Sequence, residues 1–280
     1  MKLSFEKYEG LGNDFLVVDT GDLSAEDAMA LCDRHLGVGG DGVLFTGLSN
    51  GEPFMRVINA DGSTPEMCGN GLRCVALFLV LRGHVGTRAF EVKTDAGPHA
   101  VEVLSVDGDR AEVRVGMRPA SLTPSRLPLR SETPWIDHAL DVDGIEVRLT
   151  AVSMGNPHAV TFDPLEARRR VLGPALETDA HFPERVNVGF AQVTDEGLTL
   201  DVWERGCGWT QACGTGACAA AVAAVETGRA ERGRDLRVTL PGGPMTIRVE
   251  APDAPVWMTG PARRVFAGEV DVPERRPDRP

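Results

Sequence analysis

Met67-Cys68-Gly69-Asn70-Gly71 in the first half of the chain has a counterpart in the second, Ala212-Cys213-Gly214-Thr215-Gly216. Cys213 follows Cys68 by 145 residues. A second echo, Gly12-Asn13 with Gly155-Asn156, keeps the same order at an offset of 143. Two ordered echoes at nearly one spacing predict two halves of similar design. In each half the cysteine stands at the start of a helix. After Cys68, Leu72, Val75, Ala76, Leu79 and Val80 recur at helical spacing, and Gly83 closes the run. After Cys213 an Ala-rich helix is expected over 215–227, ended by Gly228.

Outward from these helices the pattern is one of short strands. They are expected at 3–8, 15–19, 43–46 and 55–59, then at 89–94, 100–106 and 111–115. A helix over 24–34 lies among the first group, with Ser24 as N-cap and Glu26 and Asp27 in its first turn. The stretch 118–143 holds Pro119, Pro124, Pro128 and Pro134 without a sustained period, and reads as a loop-rich connection between domains. Strands follow at 145–152, 159–162, 186–193 and 198–204, with a helix over 165–172. Four more strands, 235–240, 245–250, 256–259 and 263–270, complete the core. The tail 271–280 is rich in proline and charge and is expected to be disordered.

The chain has 280 residues, enough for two ordinary domains. Its 32 glycines and 19 prolines favour turns and short strands over long helices. A net charge of −12 repels phosphate backbones, and with so few aromatics no nucleic-acid partner is expected. The short basic clusters at 168–170 and 263–264 read as solvated faces. The first ten residues carry four charges and no apolar core, unlike a signal peptide. The longest apolar runs, 75–81 and 217–225, fall short of the roughly 20 residues a membrane span needs. No membrane association is expected, and the reading is cytoplasmic. There the six cysteines are thiols, so each is buried, metal-bound or chemically active.

A cysteine directly before a helix meets unpaired N–H groups and the positive end of the helix dipole. Both favour thiolate and can bring the pKa from about 8.5 toward neutrality. The glycines that follow let backbone approach a ligand, and the same N–H groups can hold a carboxylate. Two such units facing each other across a cleft would put one thiol on each side of a ligand. Taking a proton from one face and returning one to the other inverts a stereocentre. One exposed helix terminus contributes only about 0.3–1 kcal/mol, so several aimed donors and water exclusion must supply the rest. Either cysteine alone reads as readily as a small buried hydrophobe. No metal is expected, because no C-x-x-C pair occurs among Cys68, Cys74, Cys207, Cys213 and Cys218. The glycine run 37–42 lacks the Lys-Ser/Thr end of a phosphate loop and reads as a turn.

Further motifs carry a resemblance. Asn59-Ala60-Asp61-Gly62-Ser63 leading to Cys68-Gly69-Asn70-Gly71-Leu72-Arg73-Cys74 is similar to a signature of the diaminopimelate epimerase family. Gly10 to Phe15, Met154-Gly155-Asn156-Pro157-His158, Arg185-Val186-Asn187, Glu204-Arg205-Gly206 and Gln211 to Gly216 match it in the family's order. The resemblance implies an α/β (α+β) fold of two pseudo-symmetric domains, each a mostly antiparallel, barrel-like sheet around a central helix, with a cleft between them. It places domains at 1–117 and 118–262, with strand 263–270 returning to the first. It implies a cofactor-independent isomerase that interconverts LL- and meso-2,6-diaminopimelate in lysine and peptidoglycan precursor biosynthesis. Cys68 and Cys213 match the catalytic thiols. Asn13, Asn59, Gly69, Asn70, Asn156, Asn187, Glu204, Arg205, Gly214 and Thr215 match the substrate-binding set. His158 and Glu204 match residues that tune the thiols. The family forms homodimers, and Phe266 stands where a tyrosine often lies at the dimer face. Cys207 and Trp209 depart from the common pattern. A proline or hydroxyproline racemase of the same superfamily is the alternative. Such enzymes share the thiols but not the Asn/Glu/Arg set for a second amino-acid head.

Overall fold

A computed structural model describes residues 2–19, 23–65, 67–165 and 167–272. The chain divides into two compact units, Met1–Val115 with Pro261–Pro280, and Gly116–Gly260. In chain order the first unit holds β1 (Lys2–Gly10), β2 (Asn13–Asp19), α1 (Ala25–Cys32), β3 (Gly42–Ser49), β4 (Glu52–Asn59), α2 (Gly69–Leu81), β5 (Ala89–Thr94), β6 (Gly97–Asp107) and β7 (Arg110–Gly116). There follow β8 (His138–Val142), β9 (Ile145–Ser153), β10 (Pro157–Thr161), α3 (Arg169–Glu177), β11 (Asn187–Thr194) and β12 (Gly197–Glu204). The chain ends with β13 (Gly208–Trp209), α4 (Gly214–Glu226), β14 (Asp235–Leu240), β15 (Gly243–Val249) and β16 (Val256–Asp271).

The repeat seen in two short motifs extends to the whole pairing scheme. From β1 to β7, neighbours pair antiparallel, parallel, antiparallel, parallel, antiparallel and antiparallel. From β9 through β10, β11, β12, β14 and β15 to β16 the order is identical. Parallel neighbours need crossovers, and helices sit within them. α1 and α3 lie between the first parallel pair of each unit, α2 and α4 between the second. The latter half of β16 pairs with β1, and β16 neighbours β7, so the first unit's eight strands close on themselves. In the second unit β8 pairs with β9 in the position that β16 takes beside β1.

α2 and α4 lie inside these sheets because they are apolar all round. Every residue of α2 from Gly69 to Leu79 is buried, and the helix packs against β1 to β4 and β6. α4 is buried from Gly216 through Ala224 and packs against β9 to β12, β14 and β15. The expected mostly antiparallel sheet around a central helix is thus found in each unit.

Several expectations need correction. The proline-rich stretch contains a strand, β8, besides a single 3-10 turn, Pro124–Arg126. β8 ends the strand order and needs only one partner, so weak alternation suffices. α3 starts later than expected and runs through Pro174, because Leu172 and Leu176, four residues apart, are the pair that is buried. The strands 256–259 and 263–270 are one 16-residue strand. Pro261 falls between the segment paired to β15 and the segment paired to β1, where its missing N–H breaks neither ladder. Of the expected disordered tail, Asp271 ends β16 and Val272 is buried; 273–280 lie outside the described residues.

The basic clusters are not merely solvated either. Arg169 pairs with Asp201 and Arg263 with Glu9. Arg264 pairs with the buried Glu6. Glu6 also accepts from Arg82 at the C-cap of α2, at 2.6 Å, and from Tyr8 at 3.2 Å. One buried carboxylate therefore ties β1, the returning strand β16 and the end of the central helix together. Glu6→Ala should lower stability by about 2–3 kcal/mol in urea unfolding, more than a surface pair contributes.

Candidate active site

Both motif cysteines are helix N-caps. Cys68 precedes α2 with extended backbone, and its Sγ accepts from the Gly71 N–H at 3.4 Å. Cys213 precedes α4 in the same way, accepting from the Gly216 N–H at 3.3 Å. The glycine is required by the sulfur: a Cβ at Gly216 would lie 3.1 Å from the Cys213 Sγ. Cys68 is half-buried and Cys213 is buried.

In the first unit, Asn13 at the start of β2 and Asn70 in the first turn of α2 meet. The Asn70 Nδ2 donates to Asn13 Oδ1 at 3.2 Å. Asn13 Nδ2 in turn donates to Asp41 Oδ2 at 2.6 Å, and Arg73 Nη2 donates to Asn70 Oδ1 at 3.0 Å. Arg73 is fully buried and also donates to the Pro261 carbonyl at 3.1 Å. Asn59 ends β4 and opens the turn that follows, donating from Nδ2 to Ser63 Oγ at 2.9 Å. That turn joins the same cluster through the Ala60 N–H, which donates to the Asp41 carbonyl at 3.0 Å. Gly69 is the first residue of α2.

The second unit assembles a matching but different cluster. Asn156 Nδ2 donates to Thr215 Oγ1 at 3.3 Å, and this hydroxyl lies 3.6 Å from the Cys213 Sγ. His158 Nε2 lies 3.1 Å from Asn156 Oδ1. Since the Asn156 amide nitrogen faces Thr215, its oxygen faces the ring, and Nε2 carries the proton. Burial, with the charge of Arg205 adding, pushes His158 down to about 3, so the ring is neutral. Hydrogen-bond direction thus runs from His158 through Asn156 to Thr215, whose hydroxyl still has its own proton to donate. Gly214 is the first residue of α4.

Glu204 closes β12 beside the same thiol. Burial drives the Cys213 pKa well above its ordinary value, and the charge of Glu204 adds to this, against the donors Thr215 and Gly216. The expectation of a depressed thiol pKa therefore fails at Cys213: removal from water outweighs the helix terminus. Glu204 also accepts from the Thr210 hydroxyl at 2.6 Å. Asn187 holds the turn that follows. Its Oδ1 accepts from the Arg205 N–H at 3.0 Å, and its Nδ2 donates to the Pro157 carbonyl at 2.8 Å. The Arg205 guanidinium donates to the Glu184 carbonyl at 2.9 Å. Asn187 thus reaches this cluster through backbone, as a brace.

Trp209, which departs from the common pattern, packs edge-on against Trp203 at 5.4 Å and beside Phe190 at 5.7 Å. Cys207 is exposed at the tip of that hairpin. Cys74 and Cys218 are fully buried within the central helices.

Four residues went unassigned in the sequence. Asp41 lay in a glycine run read as a turn. Arg73 and Thr210 were single polar residues inside or beside quoted motifs. Glu177 carried no signal at all, yet it accepts from Trp203 Nε1 at 2.7 Å and from the Gly206 N–H at 2.9 Å. Burial opposes its charge, but these donors and Arg185 hold its carboxyl below the usual range. It fixes the turn that carries Glu204 and Arg205.

Fold comparison finds solved structures of the same architecture. It resembles a probable proline racemase from Agrobacterium radiobacter K84, with a TM-score of 0.73 over 97% of this chain and 93% of that one, at 14% identity. A hydroxyproline epimerase from Agrobacterium vitis gives 0.69 over 96% and 92%, at 16% identity. At such identities the likeness concerns the fold. Sequence comparison is closer. The model of the diaminopimelate epimerase family matches residues 5–123 and 150–265. A diaminopimelate epimerase from Desulforudis audaxviator is 47% identical over 95% of this chain and 99% of its own length. One from Stutzerimonas stutzeri is 44% identical over 96% and 99%, and a chloroplastic one from Oryza sativa subsp. japonica 44% over 96% and 80%. The chain belongs to the diaminopimelate epimerase family.

Two outcomes follow. The His158 ring resonances should stay flat from pH 8 to 5 in an NMR titration. Its folded pKa lies below the unfolded value of about 6.5, so the stability it contributes is complete above that pH and lost as pH falls toward 3. Glu177→Ala should cost about 1–3 kcal/mol. It should also speed hydrogen exchange at the Gly206 amide by at least about tenfold.

Proposed function

We propose that this chain interconverts LL- and meso-2,6-diaminopimelate with two thiols and no cofactor. The observation that carries the reading is a pair of matched helices, each N-capped by a cysteine whose Sγ already accepts a backbone N–H. One thiolate removes the α-proton from one face of the substrate carbon. The other thiol delivers a proton to the opposite face, and no atom other than hydrogen changes place. Gly69, Asn70, Gly214 and Thr215, in the first turns of the two helices, hold the carboxylate at the reacting carbon. Their N–H groups stabilise the negative charge that develops on it.

The substrate carries a second amino-acid head. Arg205 with Asn13, Asn59, Asn156 and Asn187 suits its carboxylate, and Glu204 suits an ammonium group. His158 acts on Cys213 through Asn156 and Thr215, and Glu204 acts on it directly. On the same reading the enzyme is a cytoplasmic homodimer of lysine and peptidoglycan precursor biosynthesis. Phe266, 45% exposed on β16 and packed edge-on against Phe5, supplies an apolar ring for the dimer face. Among the described residues no helix is long and apolar enough to cross a membrane.

The test is solvent exchange. In D2O the protein should place deuterium at the α-carbon of LL-diaminopimelate and yield the meso form, while proline stays unlabelled. Labelled proline and unlabelled diaminopimelate would favour a proline-type racemase. Cys68→Ala and Cys213→Ala should each reduce inversion at least about a hundredfold with the fold intact. Full activity in either variant, or a pyridoxal absorbance band in the active protein, would overturn the mechanism.

A further inference from the structure

We propose that Asp41 is a positioning residue for this reaction, fixing the side-chain amides of Asn13 and, through it, Asn70. The proposal rests on the reading above, in which Asn13 contacts substrate through its side chain and Asn70 through its backbone N–H. An asparagine amide presents a donor on one side and an acceptor on the other, and the two ends have nearly the same shape. Rotating it by half a turn exchanges them, which would reverse what it offers a carboxylate or an ammonium. Something must therefore decide its orientation.

The structure contains a chain that does so. Arg73 donates to Asn70 Oδ1 at 3.0 Å, Asn70 donates to Asn13 Oδ1 at 3.2 Å, and Asn13 donates to Asp41 Oδ2 at 2.6 Å. A guanidinium can only donate and an ionised carboxylate can only accept. With such groups at the two ends, one direction of hydrogen bonding satisfies every link. Turning either amide sets donor against donor at one joint or acceptor against acceptor at the other.

Asp41 is itself held at both oxygens. Oδ1 accepts from Arg34 at 2.7 Å, and Oδ2 accepts from the Asp14 N–H at 3.0 Å as well as from Asn13. Arg34 also binds Asp14 at 2.6 Å, and Lys7 binds Asp14 at 2.6 Å from the other side. The backbone repeats the tie, since the Asp41 N–H donates to the Asp14 carbonyl at 2.7 Å.

The second unit shows that the direction is not set by the repeat itself. There the matched pair is Asn156 and Thr215, and the residue just before β10 donates to the helix residue. In the first unit the helix residue donates to the strand residue. Thr215 consequently keeps its own proton to donate, whereas Asn70 spends a donor on Asn13 because Asp41 has taken the donor of Asn13. The carboxylate that selects this direction belongs to Asp41.

The experiment compares wild type with Asp41→Asn, Asn13→Ala and the double variant. Asp41→Asn should raise KM for LL-diaminopimelate about tenfold, with kcat within about threefold and the limbs of its pH profile in place. In the Asn13→Ala background Asp41→Asn should cost nothing further. Losses that add in the double variant, or a wild-type KM in Asp41→Asn, would overturn the proposal. A second readout needs no turnover. The side-chain amide resonances of Asn13 and Asn70, identified by their absence from Asn13→Ala and Asn70→Ala spectra, should both move in Asp41→Asn. If neither moves, the relay does not exist; if only that of Asn13 moves, it does not reach Asn70. If Asp41→Asn fails to fold, Arg34→Gln removes the other anchor of the same carboxylate and should shift the same two resonances. Wild-type protein that exchanges no α-proton of diaminopimelate refutes the functional reading alone, since the spectra still decide the relay.

Discussion

A helix that runs through the middle of a sheet has one difficulty that apolar packing cannot remove. Its first N–H groups have no partner within the helix, and in a buried setting each needs an acceptor. α2 and α4 are both in this position, and both meet it with a cysteine sulfur. Serine, threonine or aspartate would be the commoner cap. Sulfur is a weak acceptor as a thiol and a far better one as a thiolate, so on the epimerase reading the requirement for a cap and the requirement for a base fall on one atom. In α4 this cap also leaves little room at the residue three positions on, which is a glycine. At Gly216 a Cβ would meet both the Cys213 Sγ and a Val202 methyl at 3.1 Å. Apolar helix, thiol cap and glycine are thus linked in α4, while at Gly71 in α2 a Cβ would instead crowd Leu44 at 3.0 Å.

Because the pairing order is the same in both units, the constraint recurs with its surroundings. Yet the groups that support it differ. Around α2 the support is ionic, from Arg73 at one end to Asp41 and Arg34 at the other. Around α4 it is neutral, from a buried imidazole through an amide to a hydroxyl. A neutral donor suits a fully buried site, where an unpaired charge would be costly to desolvate. The ionic version reaches water at its outer end, where 55% of the Arg34 side chain and 37% of that of Asp41 are exposed, while its buried end, Arg73, is held by Asn70 and the Pro261 carbonyl.

This division also explains what could be read from the sequence. The thiols, their glycines and the apolar helices were legible because each follows from local geometry and recurs at a fixed offset. Ser24 was legible for the same reason: its hydroxyl accepts from the Asp27 N–H at 3.1 Å, as an N-cap should. Some of what was missed acts over long separations. Glu177 reaches the Gly206 turn across 29 residues, and Glu6 reaches Arg264 across 258. No periodicity marks such a residue. The continuity of β16 was hidden by Pro261, which reads as a break until its place between two ladders is known. The direction of the thiol pKa was missed because a helix terminus is visible in sequence and the depth of burial is not.

That last point bears on how an inversion could begin. Burial and the charge of Glu204 both hold Cys213 in its protonated form, against Thr215 and Gly216, which favour the thiolate. Burial comes with the place of Cys213 at the start of the buried helix α4. The charge of Glu204 can be offset. On the epimerase reading, a substrate ammonium beside that carboxylate would weaken its repulsion of a developing thiolate. The oriented hydroxyl of Thr215 would then act unopposed by it. An amine-bearing substrate would in this way shift the proton balance of the thiol that is to act on it. Charge interactions of this kind strengthen as water leaves the site.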